Sequence, residues 1–192
     1  MNYRPFVALV VFLTLLTNQT LKAQVDVTAQ PLGLLFGTLN VSADFAVSES
    51  FSVEGIIGFT SRSDSGTDAD TGDPYDYDYT GIPITAVGKY YLKPRRGADR
   101  FYLSAFLRYI NRSVNFTGGS DNADLTWSRF GLGFGVGTKI VSAKGVVLDL
   151  GLGIGRAFHN KITYEENGDR EEVDWPGIMF LPRLAVGYRF GG

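Results

Sequence analysis

The chain has 192 residues, 44% hydrophobic and 14% aromatic, with 24 glycines and a formal net charge of −2. That is too apolar for a disordered chain, and it lacks the basic footprint of a nucleic-acid binder, so no nucleic-acid partner is expected. With no cysteine, a disulfide framework, a thiolate nucleophile and a zinc–thiolate site are excluded.

Residues 1–23 read as a secretory signal peptide. Arg4 supplies positive charge, Phe6 to Leu16 is an apolar run broken only by Thr14, and Lys22-Ala23-Gln24 follows a polar stretch. The run is 11 residues long, whereas a helix needs about 20 apolar residues to cross a bilayer. Cleavage is expected after Ala23, which leaves one domain over 24–192. No later segment is a continuous apolar helix span, so membrane entry by the mature chain requires a closed barrel.

From residue 25 onward the chain is a series of period-2 segments. Leu39, Val41, Ala43, Phe45 and Val47 alternate with polar or small residues, and so do Phe51, Val53, Gly55, Ile57 and Phe59. The pattern returns at Phe101–Tyr109, Phe130–Ile140, Val146–Ile154 and Ile178–Phe190. The second face holds glycine, serine and charge. A soluble small barrel keeps its apolar face inside, whereas here the unbroken apolar face suits a barrel with lipid outside. The aromatics Tyr75, Tyr77, Tyr79, Tyr90, Tyr91, Phe101, Tyr109, Trp127, Trp175, Tyr188 and Phe190 are candidates for interfacial girdles.

The predicted fold is all-β: a closed antiparallel up-and-down transmembrane barrel. Strands are expected at about 25–35, 39–47, 51–63, 80–92, 100–116, 124–141, 146–164 and 175–190. Pro31 and Gly33 weaken the first of these, and the alternative is seven strands with an N-terminal segment against the barrel. The long connections 64–80, 117–123 and 165–174 should face outside, and the short ones the periplasm.

The mature chain resembles small outer-membrane β-barrel proteins of the OmpA/OmpW-like type. Pro31-Leu32-Gly33-Leu34-Leu35-Phe36-Gly37 with the following hairpin carries part of this, and Leu184-Ala185-Val186-Gly187-Tyr188-Arg189-Phe190 carries the rest. The latter is similar to the β-signal read by the barrel-assembly machinery, which implies that machinery as a partner and Tyr188 and Phe190 as the assembly signal. Ala185 departs from the usual glycine, and Gly191-Gly192 follow the last aromatic. The resemblance implies an outer-membrane location among lipid and lipopolysaccharide.

Ionisable residues on the inward face are Asp44, Glu54, Lys89, Arg108, Arg112, Arg129, Lys139, Asp149, Arg183 and Arg189. An eight-stranded lumen is filled by side chains, so these are expected to form a structural ion network that plugs it. The alternating glycines are expected to make room for the arginines. The lone His159 lacks the nearby serine of barrel deacylases acting on lipid A. Asp64, Asp68, Asp70, Asp73, Asp76 and Asp78 form an acidic outer loop without the ligand spacing of a calcium site. No cofactor or metal is implied. The expectation is a non-enzymatic barrel for envelope structure, surface interaction or limited solute passage. A lipid-modifying barrel enzyme and a soluble periplasmic binding barrel are the alternatives.

Parity also fixes register. Pairing Val47 with Phe51 places Asp44 opposite Glu54, both inward, which demands a cation between them or a retained proton. An arginine from across the lumen, Arg108, Arg129 or Arg183, is the expected bridge. Around the 142–145 turn, Lys139 should face Val147 or Asp149.

Overall fold

The computed structural model describes residues 24–67, 72, 74–118, 121–166, 169–174 and 177–191. The signal segment 1–23, Asp68, Asp70, Asp73 and Trp175 lie outside these residues. In chain order the elements are β1 (Val25–Gln30), a 3-10 helix (Pro31–Phe36), β2 (Thr38–Ala46), β3 (Phe51–Thr67) and β4 (Pro74–Tyr91). Then come β5 (Arg100–Gly118), β6 (Asp121–Val141), β7 (Val146–Glu166), β8 (Asp169–Asp174) and β9 (Gly177–Phe190).

Strands β1 to β7 pair in sequence, and β9 joins β7 to β1, closing the sheet. β8 pairs with residues 161–166 of β7 and β9 with 146–157, so the two together fill the eighth place. β1 closes the sheet on β9 over Val186–Phe190, where an unpaired peptide group in hydrocarbon would be costly; farther up, β9 meets the 3-10 helix, and its Phe180 and Ile178 carbonyls accept from Arg108 and Arg129. Alternation then decides which side chains meet which medium. The outward rows are apolar and open, with Phe134 67% and Leu152 60% exposed, while the inward rows hold buried Asp44, Glu54, Lys89 and Asp149. This is the fold of an outer-membrane β-barrel, turned inside out relative to a soluble one.

The first strand is real but shorter than 25–35. Pro31 has no N–H to give to the ladder, and it opens the 3-10 helix instead. Gly37 ends that helix in the left-handed region (φ 68°) and donates its N–H to Leu34 O at 3.1 Å. The seven-strand alternative is thereby removed.

The three long connections also differ from expectation, because the ladders continue into them. β3 and β4 stay paired out to Thr67 and Pro74, β5 and β6 to Gly118 and Asp121, and β7 and β8 to Glu166 and Asp169. Asp64, Asp76 and Asp78 are therefore strand residues, not loop residues. Beyond the lipid both faces of a strand are wet, so the sequence loses its apolar alternation without losing the strand. A membrane crossing takes about 9–11 residues, whereas β3 to β7 have 17 to 21. β1 and β2 have only 6 and 9. The rim away from the chain termini is thus tall along β3–β7 and low at β1–β2, where the 3-10 helix packs against β2 and β9.

Register slips between Phe130 and Gly131, which pair with His159 and Ala157, and Phe158 is the extra residue of a bulge. His159 therefore shares the face of Phe130, and Asn160 turns inward opposite Arg129. The inward glycines of β6 and β7 mostly serve aromatic rings, contrary to expectation. A Cβ at Gly133 would strike the Phe106 ring and Ile154 O, and one at Gly137 would strike Tyr102. Among the described glycines only Gly81 and Gly177 stand against Arg112 and Arg129.

Gly187 sits at the β1–β9 seam, and a Cβ there would fall on Val27 O and Thr28 Cα. Gly187→Ala should lower the yield of heat-modifiable folded barrel in refolding assays. Gly55→Ala, which meets nothing within 4 Å, should fold as the parent does. Equal yields for both would contradict this account of the seam.

Candidate functional site: the barrel lumen

The lumen is stacked in three layers. The one nearest the chain termini is ionic. Asp26 of β1, Asp44 of β2 and Glu54 of β3 enter it beside Lys89 of β4, Lys139 of β6, Asp149 of β7, and Arg183 and Arg189 of β9. The hairpin register places Asp44 opposite Glu54 and Lys139 opposite Asp149.

Lys89 is the hub. Its Nζ lies 2.8 Å from Asp44 Oδ2, 3.0 Å from Glu54 Oε2 and 2.8 Å from Asp149 Oδ2. Lys139 Nζ bridges Asp44 Oδ2 at 2.6 Å and Asp26 Oδ2 at 2.8 Å. Arg183 pairs with Glu54, and its Nε lies 2.8 Å from Asp149 Oδ2. Arg189 grips Asp26 through Nε at 2.6 Å and a terminal nitrogen at 2.8 Å. Four carboxylates thus meet four cations, and the layer is neutral as a whole. Tyr102 donates to Asp149 Oδ1 at 2.7 Å, and Tyr91 lies over Lys139 with 5.2 Å from Nζ to ring centroid.

Of the arginines expected to bridge Asp44 and Glu54, Arg183 reaches Glu54, while Arg108 and Arg129 do not reach either acid. The group between the two carboxylates is Lys89. A central ammonium can point donors at three acceptors at once, which a planar guanidinium cannot do from one nitrogen.

The turn at 92–99 closes the barrel from beneath. Asp99 accepts the backbone N–H groups of Arg95 and Arg96, at 2.6 and 3.2 Å. Arg189 donates to the carbonyls of Arg96 and Ala98, while Arg96 donates to Val141 O at 2.8 Å. Ala98 is buried against Tyr91 and Tyr102.

Above the ions lies an apolar layer of Ile56, Val87, Phe106, Ala157 and Met179, with Leu181 against it. Sequence reasoning missed it, because Ile56 and Phe106 fall between outward apolar neighbours and vanish into an unbroken greasy run.

The third layer, toward the tall rim, is basic. Arg108 donates to Phe180 O at 3.3 Å and Arg129 to Ile178 O at 2.7 Å. Arg112 lies 5.4 Å from the ring centroids of both Tyr79 and Trp127, and Arg129 lies 5.6 Å from Trp127. Trp127 donates to Asn160 Oδ1. Among the described residues these three arginines form no ion pair, so the expected single network is two separate clusters.

Tyr79, Tyr91 and Trp127 accordingly face the lumen rather than an outer girdle. Tyr75 and Tyr77 share the inward register of Tyr79. Tyr90, Phe101, Tyr109, Tyr188 and Phe190 do face outward. Tyr188 and Phe190 stack edge-on at 5.1 Å and lie opposite Val27 and Val25 at the closing seam. Asp76 and Asp78 are exposed on the outer face of the rim, and Asp64 is exposed on β3. Sequence reasoning omitted Asp26, although its alternation with Thr28 and Gln30 carries the signal.

No protein-family profile matches the sequence, and no curated protein matches it. Solved structures do match in fold. A major outer membrane protein from Thermus thermophilus aligns over 88% of this chain and 99% of its own, with 16% identity and a TM-score of 0.57. Ail, the attachment invasion locus protein of Yersinia pestis, aligns over 88% and 100% with 14% identity and a TM-score of 0.45. Acinetobacter baumannii CarO aligns over 92% and 100% with 12% identity and a TM-score of 0.47.

Removing one partner from a buried ion cluster costs about 3–5 kcal/mol. Lys89→Met should therefore lower stability by about that amount in urea unfolding of the barrel in detergent micelles. Adding Glu54→Gln restores a neutral layer and should recover part of the loss. An unchanged midpoint for Lys89→Met would contradict the hub role.

Proposed function

We propose that this barrel is a non-conducting, non-enzymatic protein of the outer membrane that acts through its rim and upper lumen at the cell surface. The observation that carries this is the double closure of the lumen. The neutral ion layer, in which Lys89, Glu54 and Asp149 are wholly buried, lies across the lower lumen with the 92–99 turn beneath it. The apolar layer lies above. An eight-stranded barrel has no spare width for a second path around them.

The end with both chain termini and the short turns faces the periplasm in this reading, and the tall β3–β7 rim stands above the lipopolysaccharide. Strands carried well past the hydrocarbon serve no anchoring need, so they support an interaction role at the surface. The ion layer is structural. Each of its four cations lies against a carboxylate, which supports a structural role. His159 stands opposite Phe130 on the face away from Trp127 and Asn160, which favours a rim role over catalysis. Tyr188 and Phe190, on the lipid face of the last strand, serve as the assembly signal, with the barrel-assembly machinery as partner.

Two measurements test this reading. The purified barrel in planar bilayers should show no large, steady conductance; a stable pore of general-porin size would overturn the closed lumen. Protease sites inserted at 68–73 or 119–120 should be cut on intact cells. Cutting only after the outer membrane is opened would reverse the orientation.

A further inference from the structure

The two charged layers of the lumen are built on opposite rules. In the lower one every cation has a carboxylate. In the upper one Arg108, Arg112 and Arg129 are brought together with no acidic partner among the described residues. Their Nε–H groups are buried without a hydrogen-bond acceptor, and so is Gln30 Nε2 on the neighbouring wall; Arg183 Nε in the lower layer also makes no hydrogen bond, but it has the Asp149 carboxylate 2.8 Å away. Arg112 and Arg129 both lie close enough to bear electrostatically on Arg108. Arg108, Arg112 and Gln30 open onto one cavity of about 180 Å3, which Thr38, Asn40 and Thr85 also line. Its floor includes Ile56 of the apolar layer.

We propose that this cup is an anion-binding site for a phosphate or sulfate group. Surplus donors on buried nitrogens and surplus positive charge on half-buried side chains are unfavourable on their own, and an oxyanion supplies both the acceptors and the countercharge. Guanidinium forks match tetrahedral oxyanions, and the site holds two of them with an amide donor beside them. Trp127, between Arg112 and Arg129, holds these two side chains in place. The apolar floor separates the site from the ion layer, so a bound anion does not compete with Asp44 or Glu54 for cations. The cavity lies beneath the low β1–β2 wall, where Leu32 and Gly33 of the 3-10 helix border it. In the orientation proposed above it opens to the cell exterior. The anion is carried either by a dissolved solute or by the headgroup of a surface lipid, and both present the same chemistry.

The test uses the barrel refolded in phosphatidylcholine nanodiscs, with arginine Nε–H resonances followed by NMR at constant ionic strength set by chloride. Inorganic phosphate and inorganic sulfate are titrated in one arm. In another arm, phosphatidic acid replaces part of the lipid and no soluble phosphate is present. Saturable shifts of the arginine Nε–H resonances in the first arm support a solute site, and shifts in the second support a headgroup site. Arg108→Gln with Arg112→Gln should weaken the response at least tenfold while the barrel stays heat-modifiable. Arg112→Gln alone gives a milder variant if that pair fails to fold. Absence of saturable shifts in both arms would overturn the site, as would an undiminished response in the folded variants. Neither result bears on conductance, so the closed-lumen reading stands or falls separately.

Discussion

The structure depends on the coordination of one buried ammonium. Lys89 brings three carboxylates to within 3.0 Å of a single nitrogen, and two of those, Asp44 and Glu54, are forced into opposition by the β2–β3 register. Without a cation there, like charges would face each other in a poorly solvated space. With it, acids from four strands and bases from three others become one neutral set spanning the barrel. Lys139, Arg183 and Arg189 extend the set to Asp26 and the closing seam. The layer therefore ties sequence-distant strands across the lumen, a link that backbone ladders make only between neighbours.

The exterior obeys a different medium, and the same alternation serves both. The charges of the ion layer are flanked along their strands by outward residues that lipid must solvate, such as Phe45, Val53, Tyr90, Ile140 and Leu150. The two faces cannot be exchanged by a one-residue slip without burying charge in hydrocarbon. The bulge at Phe158 is the local exception. It resets the parity of β7, so that Asn160 turns inward and can meet Trp127.

Much of this was legible before any coordinates. The outward rows of β2, β3, β6, β7 and β9 are plain in the sequence, and parity alone paired Asp44 with Glu54 and admitted Lys139 with Asp149. What escaped has identifiable physical causes. The rim strands lie in water on both sides, so Tyr75-Asp76-Tyr77-Asp78 read as loop. Tyr91 and Trp127 look like interfacial aromatics until register puts them inward. Lys89 as the central ion, rather than an arginine, depends on depth in the lumen, which a one-dimensional pattern does not encode. The division of the arginines into paired and unpaired groups depends on height in the same way. Arg183 and Arg108 are alike in sequence context, and only the packing of Ile56, Phe106 and Met179 between them separates their fates.

The most direct measurement of the sealed ion layer is hydrogen exchange at the lysine ammonium groups. Exposed ammonium protons exchange with water too fast to observe at neutral pH and room temperature. In the folded barrel, the account predicts sharp proton–nitrogen correlations for Lys89 and Lys139, with Lys93 and Lys144 invisible. Loss of the Lys89 signal to fast exchange, in a barrel shown to be folded, would mean that water reaches the layer, and would contradict the closed lumen.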